Sequence, residues 1–387
     1  MIIMKKPVLI MVLIVIVGIM VSCMLPYPHG DALAASQNKV NKISISEALS
    51  LAKLKNDEIV LQLKQMEYDY NKQMEDALTR AKEVDLKEAR DTNSRINSLR
   101  VRDLIPEQIK HNILSLDENI RKTEKSYITT VRQQYDSLLS AKRNLDMQRQ
   151  RYSIDADVYN LEYIKHKLGL ITNLEMEEAT YNYRKARLDI ATAVVNYENA
   201  CRNFNLYIGK PIDTFYDEVE YEELIETDLD DLDYYLDQAM KNRSEIKSLQ
   251  RQIELRELEK SIIETDQMYK NYTSLKEQHK NLETSISSLK LELERTVLDI
   301  KEEVKSAYNN VLEAKEAIER EERNLENNKK MLEITKAKYD IGKASRLDVK
   351  RAEINIIDGE YAIKTAIFNY NTQLMRLFYT AGLYSMM

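Results

Sequence analysis

The stretch Tyr339, Asp340, Ile341, Gly342, Lys343, Ala344, Ser345, Arg346, Leu347, Asp348, Val349 decides the fold, because it sets a lone glycine between two long heptad runs and because it occurs twice. Its counterpart lies 173 positions earlier, at 166–176, with Gly169 matching Gly342, Thr172 matching Ser345, Leu174 matching Leu347 and Glu175 matching Asp348. The match runs without a gap from 131–209 onto 304–382, pairing Tyr135 with Tyr308, Asn182 with Asn355, Tyr197 with Tyr370 and Gly209 with Gly382. A shorter match lays 47–67 on 234–254, pairing Leu49 with Leu236, Ala52 with Ala239, Glu58 with Glu245 and Ile59 with Ile246. Repeated units rarely bury their own apolar faces, so the duplication points to a function residing in an assembled shape rather than in one catalytic pocket.

Upstream of Gly342 the apolar series is Val304, Val311, Ile318, Leu325, Leu332 and Tyr339, and the first half answers with Val131, Leu138, Leu145, Tyr152 and Tyr159. Downstream run Leu347, Ile354, Tyr361, Phe368 and Met375, beside Val349, Ile356, Ile363, Tyr370 and Leu377; Met176, Tyr183, Ile190, Tyr197 and Phe204 are the first-half series. A period of seven held this long means left-handed supercoiling. Composition agrees: the 387 residues include seven Gly, five Pro and no Trp, with 31% charged, which favours long helices. The fold class is all-α, two tandem long antiparallel coiled-coil hairpins, with Gly169 and Gly342 at the reversals. The expected boundaries are 1–35 for an export segment, 43–209 for the first hairpin repeat, 210–233 for a polar acidic linker and 234–383 for the second repeat. Ser44 or Ser46 with Glu47 reads as a helix start, and Pro106 as a further reversal in the first half.

Lys5 and Lys6 precede an apolar run from Val8 to Leu25, so the chain reads as exported to the cell envelope. Three outcomes stay open for that segment: cleavage after Ala34, lipid attachment at Cys23, or retention as a barely spanning anchor. Cys201 reads as a buried small hydrophobe. His29, His111, His166 and His279 stand singly without ligand spacing, and no phosphate loop or nucleophile motif occurs. No catalytic, cofactor or metal site is expected, and the chain is not read as an enzyme. The carboxylates between Asp217 and Asp233 lack calcium-loop order and read as a solvated linker. A net charge of −7 without a basic patch argues against nucleic acid.

Ile45 to Leu49, the two tips and the closing Tyr207-Ile208-Gly209 and Thr380-Ala381-Gly382 together resemble the outer-membrane efflux protein (TolC) family over essentially 43–383. The resemblance implies a homotrimeric hollow helical barrel whose hairpin tips dock on a periplasmic adaptor (membrane fusion) protein serving a pump. It places Leu168, Gly169, Leu170, Glu175, Tyr339, Ile341, Gly342, Lys343, Arg346 and Asp348 at the docking tip. Family members that cross the outer membrane insert two β-strands in each half. The corresponding regions here, 91–125 and 266–294, are helical in period and highly charged, so a helical-only version without a transmembrane β-barrel is expected. The alternative is a non-conducting coiled-coil scaffold of the cell envelope.

Overall fold

The structure is a computed structural model and describes residues 41–383, without the side chains of residues 54–60. The export segment, Cys23 and His29 lie outside the described residues, as do the side chains of Glu58 and Ile59. In chain order the elements are β1 (Lys42–Ile43), α1 (Ile45–Glu83), α2 (Thr92–Leu99), a π-helical segment (Arg100–Leu104), α3 (Ile105–Lys167), α4 (Asn173–Ile208), β2 (Glu218–Val219), α5 (Leu232–Asn242), α6 (Ser244–Glu264), a 3₁₀ turn (Gln267–Asn271), α7 (Thr273–Asp340) and α8 (Arg346–Thr380). Among the described residues the only strands are β1 and β2, paired in parallel through Lys42 with Glu218 and Ile43 with Val219. The 91–125 and 266–294 regions carry no strand.

Two long helices set the length of the fold. At 1.5 Å per residue the 68 residues of α7 span about 100 Å. Each long helix carries two shorter ones along its flank. Thus α4 and α1 both pack on α3, and α8 and α6 both pack on α7. The shorter helices meet near mid-height: Lys210, just past α4, bonds Glu47 of α1 at 2.9 Å, and Arg243, just before α6, donates to the Thr380 carbonyl ending α8 at 3.1 Å. The result is a layer of four staves in the order α4/α1, α3, α8/α6, α7, with α3 and α8 joined by the Arg143–Asp358 ion pair at 2.6 Å and by Lys350 on Asp157.

The predicted heptad positions form the seams, except at the tip, where Tyr339 is exposed. Val131, Leu138 and Leu145 are buried against α4, and Val304, Val311, Ile318 and Leu325 against α8, each side chain contributing about 1.5–3 kcal/mol of transfer free energy. A third cluster, with Ile96, Leu99 and Leu104 from one half and Ile262, Ile263 and Leu275 from the other, closes the end opposite the tips.

Two expectations change. Pro106 does not reverse the chain: it lies in the first turn of α3, directly after the π segment, where Ile105 N–H reaches back to Arg100 O. That wider turn and the first-turn position accommodate a residue with no N–H to donate. The reversal occurs instead between α1 and α2, written with aspartates; Asp85 accepts from Lys87 N at 2.8 Å and Asp91 caps α2 through Ser94 N at 2.9 Å.

The acidic linker is the second change: most of its carboxylates are exposed, as a solvated linker requires, but a few of its residues anchor it to the helices. Tyr216 and Val219 are buried, and Asn205 Nδ2 donates to the Ile212 and Thr214 carbonyls at 3.2 and 2.8 Å. Buried Asn371 donates to Glu223 O at 2.7 Å and accepts from Ile225 N at 3.0 Å. Arg132, 6% exposed, holds Glu222 through two hydrogen bonds of 3.1 and 2.6 Å. Burying that many polar groups is tolerable only because they bond to one another.

Candidate functional site

The two hairpin tips are built alike. At the first, Leu168 ends α3, Gly169 takes φ +71°, Gly169 N–H donates to His166 O at 3.0 Å and Leu170 N–H to Lys165 O at 2.9 Å. At the second, Ile341 ends α7, Gly342 takes φ +71°, and Gly342 and Lys343 N–H donate to Tyr339 and Lys338 carbonyls at 2.9 and 2.7 Å. Both are Schellman turns, which satisfy carbonyls that the helix end leaves unpaired. A Cβ on either glycine would meet nothing within 4 Å, so backbone conformation alone accounts for glycine there.

Three residues on, Thr172 and Ser345 start the descending helices with full capping boxes. Thr172 Oγ1 accepts from Glu175 N at 3.3 Å while Thr172 N donates to Glu175 Oε2 at 2.7 Å. Ser345 and Asp348 repeat the exchange at 3.2 and 2.8 Å, so Asp serves as well as Glu. Hydrogen bonds from Thr172 hold the Glu175 carboxyl below its ordinary pKa, and Ser345 does the same for Asp348. Both tip carboxylates are therefore committed to capping. Lys343 and Arg346 are exposed and make no ion pair among the described residues.

Around these turns the apolar side chains point outward. Leu168, Leu170 and Ile341 are 68%, 69% and 66% exposed, and Tyr339 is also exposed. The chain thus offers one apolar tip and one that mixes Ile341 and Tyr339 with Lys343 and Arg346. Beyond the tips, α4 carries a second exposed apolar series, Leu174, Tyr181, Leu188 and Val195, and the opposite edge helix α7 carries Leu291, Leu298 and Leu312. The sequence reading singled out only the inner α4 series two positions later. A parallel heptad offset by two residues was the signal for the outer one.

Cys201, His166 and His279 are each held by local packing or a hydrogen bond. Cys201 is fully buried, and burial raises its thiol pKa. His166 bonds Asn173 at 2.8 Å and His279 bonds Glu264 at 2.8 Å. Among the described residues no group of His, Cys, Asp or Glu could hold a metal, and no helix is long and apolar enough to cross a membrane.

Residues 270–382, which include the second tip, match the family described as outer membrane efflux protein. That segment is similar in sequence to the outer membrane efflux proteins. Similar solved structures include a membrane protein from Pseudomonas aeruginosa (14% identity, TM-score 0.64, covering 93% of this chain and 97% of that one). The CmeC outer membrane channel of Campylobacter jejuni aligns at 15% identity and TM-score 0.58, over 73% of this chain and 68% of that one. The open state of the MtrE outer membrane channel of Neisseria gonorrhoeae aligns at 13% identity and TM-score 0.58, over 87% and 88%. At such identities the likeness is one of fold. No curated protein matches the sequence significantly. Among the described residues the shared fold is built here from helices, with β1–β2 as the one short strand pair.

Proposed function

We propose that this protein is an export component of the cell envelope: three copies close a hollow helical conduit whose hairpin tips dock on an adaptor of a membrane pump. It does no covalent chemistry. The observation that carries the reading is the pair of unpartnered apolar edges, α4 with Leu174, Tyr181, Leu188 and Val195 on one side of the four-stave layer and α7 with Leu291, Leu298 and Leu312 on the other. A layer open at both edges is completed head to tail by further copies, and a ring closes it. Twelve staves at roughly 9 Å spacing give a ring about 35 Å across between helix axes, with about 25 Å clear inside.

The face of α3 turned away from the linker supports a watery interior. Asn119, Ser126, Gln133, Ser137, Ser140 and Asn144 recur there at helical spacing, all exposed and uncharged, half a turn round from the linker-holding Tyr135. A scaffold with a closed centre has no use for such a stripe. The Leu168, Leu170, Tyr339 and Ile341 side chains, with Gly169, Gly342, Lys343 and Arg346, form the docking tip, while Glu175 and Asp348 keep its turns in shape. Light scattering on the purified chain tests the assembly. Wild type is expected at three times the chain mass and Leu188→Glu at the monomer mass. A monomeric wild type at micromolar concentration that binds no adaptor sinks the proposal.

A further inference from the structure

Between α3 and α8 lies a groove of about 680 Å³, inside one protomer, in which several polar groups lack a partner although others, such as Glu303 with Arg243, are paired. Lys125, half buried, lies 4.8 Å from the Tyr379 ring and makes no ion pair among the described residues. Asp136, at the solvent-accessible edge, likewise has none, and desolvation by its neighbours raises its carboxyl pKa. Arg132 Nε and Gln373 Oε1 line the same groove and are buried without a hydrogen-bond partner. Elsewhere at this seam charges are matched, as in Arg143 with Asp358. The two buried ones, Arg132 Nε and Gln373 Oε1, are costly unless something fills the cavity, while Lys125 and Asp136 stand at its open ends without an ion-pair partner.

The arrangement is directional. Lys125 and Asp136 are eleven residues apart on one face of α3, about 16 Å along the helix axis. Between them Phe368 and Met375 provide an apolar wall, while Thr129 and Gln133 supply neutral hydrogen-bonding groups. With Glu303 taken up by Arg243 and Arg132 by Glu222, Lys125 and the neighbouring Arg376 leave one end cationic and Asp136 the other anionic, and mixed walls between complement a dipolar, extended molecule. Four extended residues measure about 13 Å, and two leaning side chains close the remainder.

We propose that this groove binds a short peptide of about four residues by its free ends, the carboxylate on Lys125 and the amino group on Asp136, with an apolar side chain over Phe368. The site goes beyond the conduit reading, since it needs no second copy. In an assembled conduit it would sit in the wall and take peptide cargo.

Titration calorimetry of the full chain with a free-ended tetrapeptide of alanine and phenylalanine tests it. Saturable binding below millimolar concentration is expected, weakened at least tenfold by Lys125→Met and by Asp136→Asn. The N-acetylated peptide should bind at least tenfold more weakly to wild type and be indifferent to Asp136→Asn, a cycle that a merely structural effect would not reproduce. Absence of saturable binding, or equal affinity for free and capped peptide, overturns the site; a groove filled by a neighbouring copy would give the first of these. The mass of the same samples keeps the two proposals apart, because a monomer that binds the peptide but no adaptor defeats the conduit alone, whereas a trimer that ignores the peptide defeats the site alone.

Discussion

Gly342 and Gly382 have nearly the same backbone, φ +71° and +73°, but opposite surroundings, which makes them a controlled pair. A Cβ at Gly342 meets open space, whereas one at Gly382 would stand 2.7 Å from Asn242 Cβ and 3.3 Å from the Asn242 carbonyl carbon. Placing an L-residue in the left-handed region costs about 1–2 kcal/mol, offset by roughly 0.4–1 kcal/mol from a stiffer unfolded chain. Gly342→Ala should therefore cost about 1 kcal/mol, confined to the tip. Gly382→Ala bears the same backbone term and must also push apart the junction where α8 meets α6, adding about 1–3 kcal/mol of overpacking. Its total is about 3 kcal/mol. Urea unfolding followed by circular dichroism should lower the Gly382→Ala midpoint clearly and leave that of Gly342→Ala almost unchanged, with faster amide exchange around Lys343 in the latter. Equal midpoint losses would refute the argument, because backbone conformation would then be the whole story and the contact with Asn242 would count for nothing.

Removing the guanidinium of Arg132 leaves Glu222 largely buried and unpaired, so Arg132→Met should destabilise by about 3–5 kcal/mol in a denaturant melt; a loss below about 1 kcal/mol would contradict the buried pair. Acid should weaken the junction at Arg243. Burial alone would raise the Glu245 pKa, but hydrogen bonds from Arg243 hold it down to about 2 against an ordinary 4.5. A depressed carboxylate stabilises above its unfolded pKa, so roughly 1–2 kcal/mol, after solvent screening, should be lost as pH falls from about 4.5 towards 2. Thermal melts should show that loss in wild type and much less of it in Glu245→Gln. Ser345→Ala removes a cap and should cost about 1 kcal/mol at the start of α8, read as faster amide exchange at Leu347 and Asp348 with bulk helicity unchanged.

The hairpins were legible because a strict heptad leaves few alternatives and because glycine has a steric reason to stand at a positive-φ turn. The capping boxes were legible for the same local reason. Pro106 misled, since the sequence does not reveal that a π turn precedes it, and the true reversal at Asp85 and Asp91 uses side-chain hydrogen bonds in place of glycine or proline. The linker's packing was hidden too. Its density of carboxylates suggested water, while its anchors, Asn205, Asn371 and Arg132, lie far away in sequence on helices whose polar residues look surface-bound. The groove of Lys125 and Asp136 belongs to this second kind, because what marks it is the lack of a partner, and only coordinates show that.

The two short-helix joints, α4 on α1 and α8 on α6, fall at the same height and alternate with the unbroken α3 and α7. A wall made this way has two staves in four without a joint at its weakest level, as in masonry where whole courses bridge the gaps. It is also at this level that the β1–β2 pair and the linker, bonded to Tyr135, Asn205 and Asn371, are wrapped on like a hoop. Bending strain on a rod about 100 Å long would gather at that waist, and the chain spends its buried polar groups there. The tips, with their exposed side chains and simple turns, are then free to be the compliant end of a stiff object.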